Sequence, residues 1–226
     1  MTIIALINQK GGCGKSTTAV HFSYWLATKK KTKVLLVDAD AQQSSSGWLE
    51  GMESPIPHKV VQTPDDLLEQ IPELAKQCSQ LVVDGPASLA EATRAILFRA
   101  DLAIIPVQPT GVDLRSASEA VRLIKQAQSV RGGPPAAAVF LSRAVKGTKL
   151  KDEAIALLSQ TPEVTMLKTV IHQKQAIADT SGQSATVWDL PSRPAKESGQ
   201  EYERLFKEIL ALLWVLKEVG NLWMML

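Results

Sequence analysis

Short runs dominated by β-branched and other apolar residues alternate along the chain with longer stretches in which apolar positions recur every three or four residues. The runs at 2–8, 34–38, 80–84, 102–106 and 136–142 predict strands, with a short sixth near 166–171. The longer stretches at 15–29, 64–77, 89–99, 112–130, 150–160 and 195–218 predict helices. Strands that are apolar throughout suit a parallel sheet covered on both faces, and the alternation predicts right-handed crossovers. The expected fold class is therefore α/β, a mostly parallel sheet between two helical layers. In such a sheet the chemistry gathers at the C-terminal strand ends. Distinctive residues cluster there: the glycine-rich turn 9–16, Asp38 with Asp40, Asp84, and the segment 106–109 each follow a strand. Gly132-Gly-Pro-Pro135 reads as a helix-to-strand turn, and without internal repeats or low-complexity tracts one domain over 1–226 is expected.

Composition narrows the setting. With 226 residues, 45% hydrophobic and 21% charged, the chain can bury a substantial core. A formal charge of +2 is too small to make the whole surface attract nucleic acid, so any such contact needs a local patch, doubled by dimerisation. Of two cysteines, Cys13 lies in the glycine turn, where a disulfide would obstruct a ligand; a reducing cytoplasm is expected. Residues 1–7 lack a charged leader and a cleavage site, and the apolar run 209–216 stops at Lys217 and Glu218, short of the ~20 residues a membrane span needs. His21, His58 and His172 have no zinc spacing.

The segment Lys10-Gly-Gly-Cys-Gly-Lys-Ser-Thr17 lies between the first strand and the first helix. Gly11, Gly12 and Gly14 let backbone N–H groups converge on phosphate oxygens, the helix start adds its positive dipole end, Lys15 reaches β- and γ-phosphates, and Ser16 can hold Mg²⁺. A nucleoside triphosphate is the expected ligand, with Cys13 as a small wall residue and Thr17 completing the cradle. Gln9 stands where the general phosphate-loop pattern has its first glycine, and a second lysine, Lys10, opens the loop. Asp84, ahead of Gly85-Pro86, suits a carboxylate that holds a water of the Mg²⁺ shell. Asp38 and Asp40 straddle one residue and leave an extended strand on the same side.

This loop, together with Val34-Leu-Leu-Val-Asp-Ala-Asp-Ala-Gln42 and Leu81-Val-Val-Asp-Gly-Pro86, resembles the deviant Walker A ATPases of the ParA/MinD family, a branch of the P-loop NTPases. The similarity continues through Ile104-Ile-Pro-Val-Gln-Pro109, Phe140-Leu-Ser-Arg143 and Trp188-Asp-Leu-Pro-Ser192, and spacing and length are similar to those of short, ParF-like members and of McdA-like positioning ATPases. The resemblance implies a Mg²⁺-dependent ATP hydrolase active as an ATP-sandwich homodimer. Lys10 would reach the partner's nucleotide, Asp38 would position the attacking water, and Asp40 would support the magnesium shell; Ala41 replaces the usual proline after it. It also implies that Arg143 and Pro191 flank adenine, and that basic residues of the C-terminal half bind DNA without sequence preference, with Lys168, Lys174 and Lys196 the best candidates. The partners implied are nucleoid DNA and a ParB-like or McdB-like adaptor that stimulates hydrolysis, the cargo being a plasmid, a chromosome or a carboxysome-type organelle. With the first strand at the N-terminus, no preceding helix-turn-helix domain is expected. Two alternatives belong to the same superfamily: a MinD-like membrane-surface regulator, suggested by Trp214, Trp223, Met224 and Met225 in the tail 212–226, and a nitrogenase-reductase relative, disfavoured by the cysteine count.

Overall fold

The apolar runs become strands of one sheet: β1 (Thr2–Leu6), β2 (Val34–Asp38), β3 (His58–Val60), β4 (Gln80–Asp84), β5 (Leu102–Val107), β6 (Ala136–Leu141) and β7 (Thr165–Met166). They pair in the order β3-β2-β4-β1-β5-β6-β7, every pair parallel. The computed structural model describes residues 1–53, 56–87, 90–158 and 164–223. The helices among them are α1 (Lys15–Thr28), α2 (Ser44–Glu50), α3 (Pro64–Ala75), α4 (Ala90–Leu97), α5 (Gly111–Arg131), α6 (Lys149–Leu158), α7 (Gln175–Gly182) and α8 (Arg193–Trp223). The expected first residue of the 89–99 helix and last two of the 150–160 helix lie outside the described residues.

Strand pleating divides the core. Ile3, Ala5 and Ile7 point to one face, where Leu67 and Ile71 of α3 and Leu123 and Ile124 of α5 pack; Ile4 and Leu6 point to the other, against Phe22 and Trp25 of α1 and Leu205, Phe206 and Ile209 of α8. Each such side chain contributes about 1.5–3 kcal/mol when fully buried, so both faces need their helices. The expected sheet between two helical layers is what forms. Because β1 lies between β4 and β5, the chain runs outward to β2 and β3 on one side, returns at β4, and then crosses to β5 and β6 on the other. This reversal opens a crevice at the carboxyl ends of the central strands, the place where open α/β sheets bind ligands.

Local signals set several helix ends. Thr63 and Thr110 hydroxyls accept hydrogen bonds from the N–H groups of Asp66 and Asp113, capping α3 and α5, and Gly132 ends α5 in the left-handed region, φ +66°. Three elements depart from the sequence reading. α2 is rich in serine and glycine, poor helix formers, and exists through tertiary contact: Trp48 and Leu49 are buried, and its N-terminal turn is tied to Asp38. β3 is a three-residue edge strand, too short for a period to register, and α7 is an eight-residue helix of low amphipathic contrast. β7 is shorter than the expected 166–171 strand: Leu167 N and Ile171 N still donate to the Val139 and Leu141 carbonyls of β6, but between them Glu208 of α8 accepts the Lys168 N–H at 2.7 Å and the Thr169 hydroxyl at 2.5 Å, interrupting the ladder. At the far end of α8, Trp214 (65% exposed), Val215 and Leu216 face outward; Met224 and Met225 lie outside the described residues.

Candidate functional site

The loop after β1 is shaped by two glycines in the left-handed region, Gly12 at φ +73° and Gly14 at φ +100°. Gly14 is constrained twice over, since a Cβ there would also stand 2.7 Å from the Ser142 hydroxyl. The loop then delivers its amides to the N-terminus of α1, where the uncapped N–H groups and the dipole favour an anion. Lys15 is almost buried and donates from Nζ to the Lys10 carbonyl at 3.0 Å. Cys13 is fully buried with its Sγ donating to the same carbonyl, and burial pushes its thiol up, consistent with a wall residue rather than a nucleophile. The Gly12 carbonyl accepts from Gln108 Nε2 at 2.8 Å and from Arg143 Nη1 at 2.7 Å, so the ends of β5 and β6 brace the loop.

Three carboxylates face this loop from adjacent strand ends. Asp38 is fully buried; its Oδ2 accepts from Ser46 N at 2.8 Å and Ser46 Oγ at 2.9 Å, and its Oδ1 from Asp40 N at 3.1 Å. Asp40 is half-buried and accepts from Gln42 N and Ala87 N, joining the loops after β2 and β4. Asp84 is fully buried and neither of its oxygens has a hydrogen-bond partner among the described residues. Burial pushes its carboxyl up to about 7; the nearby Asp38 charge adds to this, while the Ser16 and Ser45 hydroxyls and the Lys15 ammonium offset it only in part. An orphaned buried carboxylate beside a phosphate-loop serine fits a hydrated divalent cation, which would supply its missing donors through bound water. Among the described residues no group of three or more His, Cys, Asp or Glu could cage a metal, so such a cation would depend on phosphate oxygens and water.

From the loop a cleft of about 530 Å³ extends between Trp48, Ser142, His172, Ile177 and Tyr202. Two of its lining residues, Trp48 and Tyr202, are aromatic and rest on the fully buried His21, which stacks on Tyr202 with ring centroids 4.7 Å apart and meets Trp48 edge-on at 5.5 Å. Burial pulls His21 down to about 4, so it is neutral, bonded through Nδ1 to Thr17 O and accepting at Nε2 from Val187 N–H. Its far wall is polar, with Glu201 accepting from His172 N, His172 Nδ1 and Lys174 Nζ, each at 3.0 Å. A phosphate cradle at one end, aromatic side chains in the lining and a polar rim together match a nucleotide.

Residues 4–187 match the model of the CobQ/CobB/MinD/ParA nucleotide binding domain. The chain belongs to this family. It is 40% identical over 121 residues to a Gloeobacter kilaueensis protein named maintenance of carboxysome distribution protein A, a match over 53% of this chain that spans about half the relative's length, 55%. It is 28% identical to the chromosome-partitioning ATPase Soj of Thermus thermophilus, over 92% of this chain and 95% of that one. The fold resembles that of a Cyanothece McdA(D38A)-ATP complex with a TM-score of 0.77, at 16% identity, over 93% of this chain and 96% of that one.

As a ParA/MinD-family chain, it gathers Lys10, Lys15, Ser16, Asp38, Asp40 and Asp84 around one loop. Arg143, at φ +54°, is exposed, holds the Gly12 carbonyl of the phosphate loop and lines the cleft, whereas Pro191 is exposed and not among the residues lining it. Lys168 and Lys196 are exposed, as a DNA contact requires. Lys174 is only 13% exposed and lines the cleft, neutralised by Glu201, so its surroundings suit the nucleotide more than an open basic face. Sequence reading passed over Ser46, Glu201 and Asp113, and met Gln108 only as part of the 104–109 segment. Thr110 and Asp113 carried a helix-start signal, yet nothing local ties Asp113 to Lys10, 103 residues away, to which it is bonded. No helix among the described residues is long and apolar enough to cross a membrane.

Proposed function

We propose that the chain is a Mg²⁺-dependent ATP hydrolase that dimerises around ATP, binds DNA without sequence preference in that state, and so positions or segregates a cargo through an adaptor that stimulates hydrolysis. The observation that carries the hydrolase reading is Asp84, a fully buried carboxylate whose oxygens meet no hydrogen-bond geometry among the described residues and which lies beside Ser16 of a phosphate loop. The loop amides and Lys15 would bind the phosphates; Ser16, Asp84 and Asp40 would hold the ion directly or through water. Magnesium, when bound, neutralises charge on the β- and γ-phosphates. Asp38, oriented by Ser46, positions the attacking water, and Lys10 acts on the partner's nucleotide. Positioning or partition as the purpose is supported by the relatives named for carboxysome distribution and chromosome partition.

DNA binding tests the readout. ATP-bound protein is expected to bind long duplexes of any sequence, and ADP-bound protein poorly, because pairing two subunits doubles the phosphates Z that are neutralised; affinity should fall with salt at a log–log slope of about −0.9Z. Lys168→Glu with Lys196→Glu should flatten that slope and leave ATP affinity unchanged, whereas Lys174→Glu should impair nucleotide binding through its place in the cleft. Fluorescence polarisation across a salt series reads all three. The exposed Trp214, Val215 and Leu216 favour a second reading, a MinD-like membrane-surface regulator. ATP-dependent binding to anionic vesicles without DNA binding would decide for it.

A further inference from the structure

Lys10 is the residue that the proposed mechanism sends to the partner's nucleotide, yet in the free chain its ammonium is turned inward. Nζ donates to Asp113 Oδ2 at 2.5 Å; the lysine side chain is 32% exposed and the aspartate not at all. Asp113 stands in the first turn of α5, where its N–H donates to the Thr110 hydroxyl at 3.2 Å and that hydroxyl donates to Oδ2. Oδ1 is buried and has no hydrogen-bond partner among the described residues. The mouth of the loop is fixed to the same region: Lys10 N donates to Asn8 Oδ1 at 3.0 Å, and Asn8 Nδ2 donates to the Pro106 carbonyl at 2.9 Å.

An ammonium that tight on a buried carboxylate cannot at the same time reach a phosphate in another subunit. Attraction between the two is stronger than at an exposed pair because the carboxylate is out of water, and breaking the pair by removing one partner is costly. Two features make release possible all the same. The vacated carboxylate would remain at a helix N-terminus, with Thr110 and the positive end of the α5 dipole still beside it. A triphosphate also carries more negative charge than one carboxylate, so it can outcompete Asp113 where ADP has less to offer.

We propose that Asp113 is a positioning residue that acts through Lys10: it holds the ammonium in its own subunit until a partner's triphosphate takes it, and this exchange sets how readily the ATP-bound chains associate. The association half rests on the dimeric reading above; the holding half does not.

The first test uses unmodified full-length protein without nucleotide. Amine acetylation followed by mass spectrometry should modify Lys10 several-fold more slowly than exposed Lys168 and Lys196, and Asp113→Asn should remove that protection. Equal rates for Lys10 and Lys168 in the unmodified chain would overturn the holding contact, and this measurement needs no variant to fold. The second test compares dimerisation with Mg·ATP by sedimentation in an Asp38→Ala background, where hydrolysis is blocked. Adding Asp113→Asn should tighten the dimer about tenfold, the factor for a net 1.4 kcal/mol. In a background that also carries Lys10→Ala, Asp113→Asn should have no effect, since the double-mutant cycle isolates the pair. If Asp113→Asn instead weakens the dimer as Lys10→Ala does, Asp113 aims Lys10 at the partner and the proposal is wrong. Should the Asp38→Ala chain stay monomeric with ATP, the dimeric reading and the association half fall together, and labelling alone decides the holding contact.

Discussion

Lys15→Ala is expected to weaken ATP binding by at least an order of magnitude, about 30-fold or more, whereas Asp38→Ala keeps binding and stops turnover, so that the ATP-bound dimer accumulates. The two residues differ in when they act. Lys15 is almost buried inside the loop, its ammonium 3.0 Å from the Lys10 carbonyl, so it is already placed for phosphates in the ground state. Losing a buried, charge-assisted contact of this kind costs on the order of 2–5 kcal/mol, enough to raise Kd by roughly 30-fold to several thousand-fold. Asp38 acts on the water, and a positioned base matters mainly in the transition state, where its loss lowers kcat by about 10² to 10⁴. The geometry adds a second consequence. Ser46 N and Oγ both end on Asp38, so Asp38→Ala also unties α2, and the free chain should lose about 1–3 kcal/mol of stability. Calorimetry with ATP, phosphate release and size-exclusion with Mg·ATP separate these effects. An Asp38→Ala chain that cannot bind ATP would remove the water-positioning role.

What the sequence made legible, and what it did not, follows from the range of each interaction. The phosphate loop, Asp38 and Asp84 stand out because strand-end chemistry is written in contiguous residues whose spacing fixes their geometry. The apolar strands and the long helices are legible because burial imposes a period. α2 has no period to read: its serines and glycine hold a helix only because Asp38, eight residues earlier, accepts from Ser46, and because Trp48 donates from its ring N–H to the Ala185 carbonyl, 137 residues away. Lys174 reads as a free cation in a list of scattered lysines, and becomes a wall of the cleft only when α8 brings Glu201 beside it. Lys10 is the sharpest case. Its type and place point outward to a partner, while its bond goes to a helix start that sequence can identify as a cap but not as a ligand for an ammonium.

Asp84→Asn is expected to stabilise the nucleotide-free fold at pH 8, to have little effect on it at pH 4, and to eliminate turnover. The free chain buries Asp84 without a hydrogen-bond partner among the described residues and with its carboxyl pushed up to about 7, against a usual value of 3.8. Between those two values the folded chain keeps a proton that the unfolded chain has lost, so stability falls as pH rises through about 4 to 7 and the whole penalty is present above 7. Three pH units at 1.36 kcal/mol each put that penalty at no more than roughly 4 kcal/mol. An asparagine has the same shape, carries no charge, and can offer its amide to the Ser16 and Ser45 hydroxyls that surround the site, the second of which is itself buried with no hydrogen-bond partner among the described residues. At about 2–4 °C per kcal/mol for a chain of this size, the melting temperature at pH 8 should rise by roughly 5–15 °C. His21 works in the opposite sense, since burial pulls it down to about 4 and its contribution to stability is lost as pH falls through about 6.5 to 4. The informative quantity is therefore the difference between the unmodified chain and Asp84→Asn across pH 4–8.5, in which the His21 effect cancels. Mg·ATP should narrow that difference by giving the carboxylate its missing partners, at the same time as Asp84→Asn loses the Mg²⁺-dependent part of its own ATP-induced stabilisation. A gap between the two chains that does not change with pH would exclude Asp84 as the buried acid that the cation relieves.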